Sequence, residues 1–222
     1  MRRLLEADYL RLEPGLELVS LQGGQVLSEA HINPVWGYFP VSCLLSMVGM
    51  TSDGQYTPIV EIGEEGLAGV MQLLGDRSVP YSCVTLIAGH AYRIRMDRLM
   101  VEFNRCGDFQ KMALEYAQLL LIQIAQSAIC LRRHTTEQKI CKLLIQGVDR
   151  SASNELEMTQ QFIGNMLGLR REDVTHAARK LQDEKLLDYT RGRITIRNRD
   201  VIAARSCECY GLVKSDPVPV QS

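Results

Sequence analysis

The chain has 222 residues, of which 46% are hydrophobic and 23% charged, and its formal net charge is −1. These values are typical of a soluble globular protein with one large or two modest domains, and they exclude collagen-like, low-complexity and wholly disordered chains. Seven cysteines are too few for a small disulfide scaffold, and their odd number in a chain without a recognisable secretory signal predicts reduced thiols and a cytoplasmic location.

The first half of the chain consists of short strand-like runs separated by turn residues. The clearest runs are Val41–Val48, Tyr56–Ile62, Val79–Ala88 and Ala91–Ile94. Asp53-Gly54, between two of these runs, is a hairpin signal, because a type I′ turn needs positive φ at both central positions. We therefore expect an antiparallel barrel or sandwich over residues 1–107.

This half contains no recognisable catalytic or metal-binding motif. His31, His90, Cys43 and Cys83 are scattered, without the spacings typical of metal ligands or catalytic nucleophiles. Near the other end of the chain, Cys207-x-Cys209 is a pair without the second pair that a zinc site usually has. We predict no catalytic residue, no metal, no cofactor and no enzyme activity.

A long helix is predicted after the strands, because the chain has neither proline nor glycine from Asp108 to Arg133. Asp108 is expected to cap this helix, and the basic pair Arg132-Arg133 suits its C-terminal end. Apolar residues recur with alternating three- and four-residue spacing, which is typical of a coiled-coil seam between two helices. The predicted dimer interface is Leu114, Ala117, Leu121, Ile124, Ala128 and Leu131.

Two alternatives remain for this helix. The segment from Tyr116 through Leu131 carries no charge, so a membrane span has to be considered, although sixteen residues are short for one and Gln118 and Gln123 lie inside. A core helix of a monomer would also be apolar on several faces. We favour a helix that packs on its own β-domain and against the same helix of a second subunit.

Residues 159–181 have the pattern of two short helices joined by a tight turn. Thr159 can cap the first helix, and Gly168 can supply the left-handed residue that ends it. After Arg170, a second helix has an apolar face with spacing i, i+3, i+4, i+7, formed by Val174, Ala177, Ala178 and Leu181. Two helices joined by a three-residue turn that contains glycine form a helix-turn-helix, in which the second helix enters the major groove of DNA.

A basic hairpin follows the second helix. Residues Leu186–Ile196 form two alternating runs around Arg191-Gly192-Arg193, so they predict a wing whose tip meets the phosphate backbone. Residues 170–205 hold ten basic and six acidic side chains, although residues 1–107 hold 8 Lys and Arg against 12 Asp and Glu. Such a local excess is typical of a nucleic-acid surface, but a helical hairpin and a β-hairpin with solvated charges would look similar.

The order of these elements resembles the Crp–Fnr family of bacterial transcription regulators across nearly the whole chain. The matching stretches are Leu156–Gly164 and Leu167–Val174, where the family shows Thr-x-x-x-[Ile/Leu]-[Ala/Gly], then Leu-Gly and Arg-Glu-Thr-Val-[Ser/Gly]-Arg. Arg171 and Glu172 match the two leading base readers of the family, whereas His176 stands where the family often has arginine. Its glycine-basic wing tip matches Arg191-Gly192-Arg193.

The resemblance implies an α+β fold: an N-terminal antiparallel β-roll like that of cyclic-nucleotide-binding domains, a long dimerisation helix, and a C-terminal winged helix-turn-helix. The expected boundaries are 1–107, 108–135, 136–205 and a tail over 206–222. The implied function is a homodimeric regulator on a palindromic site, with double-stranded DNA, a second copy and RNA polymerase as partners and no membrane. The predicted DNA contacts are Thr159, Gln160, Arg170, Arg171, Glu172, Thr175, His176, Arg179, Arg191 and Arg193.

The predicted sensor departs from the nucleotide-binding members of the family. They use a Gly-Glu pair for the ribose and an Arg-Ser/Thr pair for the cyclic phosphate, where this chain has Gly66-Leu67 and Val79-Pro80, with Arg77-Ser78 adjacent. We therefore expect no gating by cAMP or cGMP.

Other ways of controlling the protein stay open. An unidentified small effector, haem on His31 or His90, and thiol oxidation at Cys106 or Cys207 remain possible inputs. An iron–sulfur cluster of the family type is not expected, because residues 1–42 contain no cysteine. From a different class, a protein-binding signalling or scaffold dimer also remains open.

Overall fold

A computed structural model describes residues 6–50, 56–75, 78–150 and 153–214. The chain divides into two compact units, one of residues 1–50 and 59–122 and the other of residues 51–58 and 123–222. The longest helix, α4 (Asp108–Arg133), contributes residues to both units. The hairpin predicted at Asp53-Gly54 and the side chain of Arg77 lie outside the described residues.

The first unit is built on antiparallel sheets. Its helices besides α4 are α1 (Glu6–Leu12), α2 (Val70–Leu73) and α3 (Met96–Phe103). The strands are β1 (Glu17–Leu21), β2 (Val26–Ser28), β3 (Trp36–Pro40), β4 (Leu44–Met50), β5 (Tyr56–Ile62), β6 (Ser82–Ile87) and β7 (Gly89–Arg95). Strand β5 belongs to this unit from residue 59 onward. They form a three-stranded sheet in the order β1-β7-β3 and a four-stranded sheet in the order β2-β6-β4-β5. The predicted α+β fold with an antiparallel N-terminal β-domain is confirmed.

Two predicted strands begin later than their apolar runs suggested. The run from Val41 becomes strand only at Leu44, because the backbone N–H groups of Val41 and Ser42 both turn toward the carbonyl oxygen of His90 (2.9 and 3.2 Å). The run from Val79 becomes strand at Ser82. Apolar runs therefore located both strands but did not show where their pairing starts.

The core of the first unit includes one face of α4. Leu45, Ala91, Ile94 and Leu99 are completely buried between the sheets and α3. Four residues of α4 with helical spacing pack into the same core: Phe109, Ala113, Tyr116 and Leu120. This packing positions the N-terminal half of α4 on the β-domain, as the sequence predicted.

The start of α4 is capped from a distance. Asp108 was expected to be the cap, but this prediction was wrong, because the helix includes Asp108 as its first residue. The carboxylate of Asp8 instead accepts the backbone N–H of Phe109 (2.8 Å). Arg11 holds that carboxylate through an ion pair and also donates to the buried Glu102 (2.7 Å). The first turn of α4 is thereby stabilised by α1, about a hundred residues earlier in the chain.

By length and composition alone, α4 is able to cross a membrane. It has 26 residues, and its most apolar 18-residue window has a mean hydropathy of 1.4, with 22% of that window buried. The packing of its first half into a β-sheet core is the environment of a globular-domain helix, and it supports our interpretation of α4 as a packed helix rather than a span.

The second unit is mostly helical and contains one small sheet. Its elements after α4 are α5 (Thr136–Arg150), β8 (Glu155–Glu157), α6 (Gln160–Leu167), α7 (Arg171–Asp183), β9 (Leu187–Thr190), β10 (Arg193–Ile196), α8 (Arg199–Arg205) and α9 (Cys209–Lys214). The sheet order is β8-β10-β9, with antiparallel pairs. Its core is formed by fully buried aliphatic residues, among them Ile140, Leu144, Ile163, Leu181 and Ile202.

An ion-pair cluster joins three helices of this unit. Glu137 of α5 accepts from Lys180 of α7 (2.7 Å) and from Arg205 of α8 (3.2 Å). The hydrogen bond from Lys180 lowers the pKa of Glu137 below its ordinary value. Lys180 is thus paired with α5 in this cluster.

Candidate nucleic-acid interface

The turn between α6 and α7 is fixed by a cap and by two glycines. The hydroxyl of Thr159 accepts the backbone N–H of Phe162 (3.1 Å), which confirms the predicted cap of α6. Gly168 ends the helix with φ of 60°, a left-handed conformation that favours glycine. At Gly164 a Cβ would lie 2.9 Å from the carbonyl oxygen of Leu169. The chain therefore folds back closely onto α6, and this sets the start of α7.

Helix α7 has one buried face and one exposed charged face. The buried face consists of Val174, Ala177, Ala178 and Leu181. The exposed residues include Arg171, Glu172, His176 and Arg179, with Arg170 exposed directly before the helix. This division is typical of a helix that packs on α6 and leaves its outer side available to a ligand. Five of the predicted DNA contacts thus lie on one accessible surface.

Two further predicted contacts, Gln160 and Thr175, interact with each other. The hydroxyl of Thr175 lies 2.8 Å from both the side-chain oxygen of Gln160 and the carbonyl oxygen of Arg171. Because a hydroxyl has one proton, it donates to one of these oxygens at a time. When it donates to Gln160, it orients that amide across the start of α7 and leaves the NH₂ group of Gln160 to act as a donor.

The predicted wing is present and has a tight tip. Strands β9 and β10 are joined by Arg191 and Gly192, with φ of 51° and 81°. Positive φ at both positions is typical of the type I′ turn of two-residue hairpins. Arg191 is exposed, and the exposed Arg193 makes a 3.4 Å ion pair with Glu157 on the adjacent strand. The tip therefore presents two guanidinium groups to solvent.

The wing is attached to the segment that precedes α6. The backbone N–H of Met158 donates to the carbonyl oxygen of Gly192 (2.8 Å). The hydroxyl of Tyr189 donates to the carbonyl oxygen of Met158 (2.7 Å). Burial raises the pKa of Tyr189 to about 12, so this phenol remains a donor at neutral pH. These bonds fix the wing beside the N-terminus of α6.

The residues of the predicted dimer interface are largely accessible on α4. The exposed fractions of Leu114, Leu121, Ile124 and Leu131 are 48%, 69%, 36% and 54%. Ala128 is also exposed, and Ala117 is half-buried. A contiguous row of exposed large apolar residues is unusual for a monomer and indicates an interaction surface.

The first unit contains a small apolar cavity where the family resemblance implied a sensor. The cavity holds about 30 Å³ and is lined by residues such as Trp36, Tyr38, Leu67 and Leu120, none of them charged in the part of the chain that the structure describes. That volume suits one or two water molecules, whereas ligand pockets measure roughly 300–1,000 Å³. Beside the cavity, a Cβ at Gly66 would lie 2.3 Å from the hydroxyl of Tyr116. The Tyr116 side chain therefore fills the space next to Gly66.

Four potential metal ligands, not predicted from the sequence, lie together in the second unit. Cys130, His134, Cys207 and Cys209 place their ligand atoms within 4.8 Å of one another. The sequence contained a signal for the first two residues, since side chains four apart on a helix share a face. As a metal-ligand motif, Cys207 pairs along the sequence only with Cys209, and no spacing connects these two residues to Cys130 and His134 at the end of α4.

Comparison with known protein families matches residues 138–205 to the Crp-like helix-turn-helix domain. This chain carries a Crp-like domain. The predicted resemblance to the Crp–Fnr transcription regulators is thereby confirmed, and the domain includes α6, α7 and the wing described above. No curated protein sequence matches the chain significantly.

Solved structures with the same fold extend the likeness beyond the Crp-like domain. A protein from Eubacterium rectale assigned to the crp/fnr family of transcriptional regulators has a TM-score of 0.73 at 15% identity, covering 96% of this chain and 97% of its own. FixK2 from Bradyrhizobium japonicum has a TM-score of 0.70 at 16% identity, covering 86% and 98%. TTHA1359, a CRP/FNR-family regulator from Thermus thermophilus, has a TM-score of 0.68 at 14% identity, covering 90% and 99%. The chain therefore has the Crp/FNR fold over most of its length.

Proposed function

We propose that this protein is a sequence-specific DNA-binding transcription regulator that acts as a homodimer on a palindromic site. The observation that carries the proposal is that a Crp-like helix-turn-helix domain exposes both the charged face of α7 and a basic wing tip. The proposed partners are double-stranded DNA, a second copy of the chain and RNA polymerase. The proposed location is the cytoplasm, without membrane attachment.

We assign base reading to α7 and phosphate binding to the wing. Arg171 is the first residue of α7, and recognition helices direct their N-terminal residues to base edges in the major groove. An arginine there suits guanine O6 and N7, and the neighbouring Glu172 suits the amino group of cytosine. Arg191 and Arg193 are exposed on a hairpin tip, where guanidinium groups are suited to phosphate oxygens.

The apolar row on α4 supports the homodimer. If Leu114, Leu121, Ile124 and Leu131 pack against their copies about a two-fold axis, the two α7 helices are related by the same axis. A two-fold protein prefers a palindromic site, with half-sites about one helical turn apart.

The small sensor cavity supports regulation without a cyclic nucleotide. It has neither the volume for a nucleotide nor a charged lining residue among those described, and Gly66-Leu67 lacks the carboxylate that the family uses for the ribose. A buried phosphate without a partner would cost several kcal/mol.

The test begins with selection of bound DNA from a random library by the purified full chain. The affinities of Arg171→Ala, Arg193→Ala and the control Arg95→Ala are then measured on single-base variants of the selected site at two salt concentrations. Arg95 is an exposed arginine of the first unit, paired with Asp97.

We expect Arg171→Ala to lose about 1–3 kcal/mol of binding free energy and to relax the preference at one base pair per half-site. Arg193→Ala should weaken all variants similarly and lower the salt slope by about one. Arg95→Ala should do neither. If no sequence is enriched, the proposed function fails; if Arg171→Ala weakens every variant equally while Arg193→Ala changes the preferred base, the assigned roles are reversed.

A further inference from the structure

Four potential metal ligands meet where the end of α4 contacts the segment between α8 and α9. Cys130 is in the last turn of α4 and His134 follows one turn later, whereas Cys207 lies between α8 and α9 and Cys209 is the first residue of α9. The three thiols are 6%, 2% and 0% exposed, and the imidazole is 8% exposed. All four residues belong to the second unit. The cluster is thus a compact, nearly dry group of soft donors.

Two distances within the cluster match those around a single tetrahedral ion, and all four ligand atoms lie within 4.8 Å of one another. The sulfurs of Cys130 and Cys207 are 3.7 Å apart, and the sulfur of Cys209 is 3.6 Å from Nδ1 of His134. A Zn²⁺ ion with bonds of about 2.3 Å to sulfur and about 2.0–2.1 Å to nitrogen separates two sulfurs by about 3.8 Å, and a sulfur and a nitrogen by about 3.6 Å. A disulfide would instead need about 2.05 Å between sulfurs.

The groups around the cluster are arranged as they are around zinc ligands. Nε2 of His134 lies 3.1 Å from the carboxylate of Glu208. A metal-bound histidine commonly donates its second ring N–H to a carboxylate, which fixes the tautomer and leaves the other nitrogen for the metal. Here the nitrogen left for a metal is Nδ1, which lies 3.6 Å from the sulfur of Cys209. The amide NH₂ of Gln126 donates to the sulfur of Cys209 (3.1 Å), as outer partners of zinc thiolates do.

We propose that Cys130, His134, Cys207 and Cys209 form a closed structural site for one Zn²⁺ ion. Three cysteines and one histidine are a ligand set of structural zinc sites, and four protein ligands leave no open position for catalysis. Soft thiolates with an imidazole in tetrahedral geometry favour zinc over Mg²⁺ or Ca²⁺, which take oxygen ligands.

The position of the site gives the ion a structural role. It would join the end of α4 to a segment 77 residues later, and the chain between them contains the whole Crp-like domain, residues 138–205. The ion would thus hold together the two chain segments that precede and follow that domain. This inference does not depend on the proposed DNA-binding function, because metal content is measured without DNA.

The test measures the metal content of the full chain by elemental mass spectrometry. The protein is purified without chelators and without metal-affinity resin. We expect one zinc per chain in the wild type and in Cys106→Ser, a control that removes an exposed cysteine outside the cluster. Cys209→Ser should lose nearly all of the zinc. Removal of the ion from the wild type should lower Tm by about 10 °C or more, because a ligand well above its Kd stabilises only the folded state.

A second measurement uses only the wild-type protein, so it remains informative if Cys209→Ser fails to fold. Wild-type protein exchanged with Co²⁺ should show the strong visible bands of a tetrahedral ion and the near-ultraviolet charge-transfer bands of cobalt–thiolate bonds. Any of four results would overturn the proposal: Cys209→Ser retains zinc, the wild type contains no metal, the wild type contains iron in place of zinc, or Cys130 and Cys207 form a disulfide.

Discussion

A charged residue at the centre of the α4 row should dissociate the proposed dimer. Leu121 is 69% exposed in the single chain. Complete burial of a leucine stabilises by about 1.5–3 kcal/mol, so burial of the remaining two-thirds contributes ~1–2 kcal/mol. The two-fold axis repeats the contact, which gives ~2–4 kcal/mol per dimer from this one residue.

Leu121→Glu removes this contribution and adds the cost of desolvating two like charges, several kcal/mol for each ion. Because each 1.4 kcal/mol changes the dissociation constant tenfold, we expect the dimer Kd to rise by at least about a thousandfold. Sedimentation velocity over a concentration series separates the 25.0 kDa chain from its dimer.

Val101→Glu is the matched control for this experiment. Val101 is an apolar helical residue of the first unit with 62% exposure, and it lies on α3 rather than on the α4 row. The control should remain dimeric, and circular dichroism should show that both variants are folded. If Leu121→Glu sediments as a dimer, or if both variants dissociate equally, the interface is not the α4 row.

Two further outcomes follow from the cavity and from the ion-pair cluster. Millimolar cAMP or cGMP should leave the Tm unchanged, although a ligand at 100 times its Kd would stabilise by about 2.7 kcal/mol; a clear upward shift would mean that a nucleotide opens the cavity. Glu137→Gln should destabilise the protein at neutral pH by up to ~1 kcal/mol. Because Lys180 lowers the folded-state pKa of Glu137, the stabilisation is present above the unfolded-state pKa and is lost as the pH falls through the folded-state pKa. Thermal unfolding of both proteins should therefore converge in acid, and a difference that is independent of pH would contradict this assignment.

The helix-turn-helix was predictable because its signals are local. Thr159 caps α6 and Gly168 ends it through their own backbone and side-chain preferences, which act within one helical turn. The same holds for the wing, where the turn at Arg191-Gly192 follows from the two alternating runs around it. Its strand β8, which pairs with the far side of β10, had no comparable signal.

Contacts between distant parts of the chain were not predictable from the sequence. The cap of α4 comes from Asp8, which is 101 residues from Phe109, so the nearer Asp108 was the obvious but incorrect choice. The cysteine cluster was not predicted for the same reason, because Cys130 and Cys207 are 77 residues apart. Spacing rules describe one helix or one strand, and they contain no information about which ends of the chain meet.

At the wing tip, the backbone conformation favours a residue other than arginine, whereas the proposed phosphate contact requires a positive charge. Arg191 adopts φ of 51°, a left-handed conformation that costs L-residues other than glycine, asparagine and aspartate roughly 1–2 kcal/mol. Asparagine is the residue that a type I′ turn prefers before glycine, and it would relieve this strain but remove a charge from the proposed phosphate contact.

Selection for thermal stability alone would therefore favour the loss of Arg191, whereas selection for DNA affinity would favour keeping it. Under the proposed phosphate contact, the arginine at this position is a compromise in which a strained turn is retained for the charge that it carries. Engineering that aims to make this domain more stable should therefore leave the tip of the wing unchanged, even though replacing Arg191 would relieve backbone strain there.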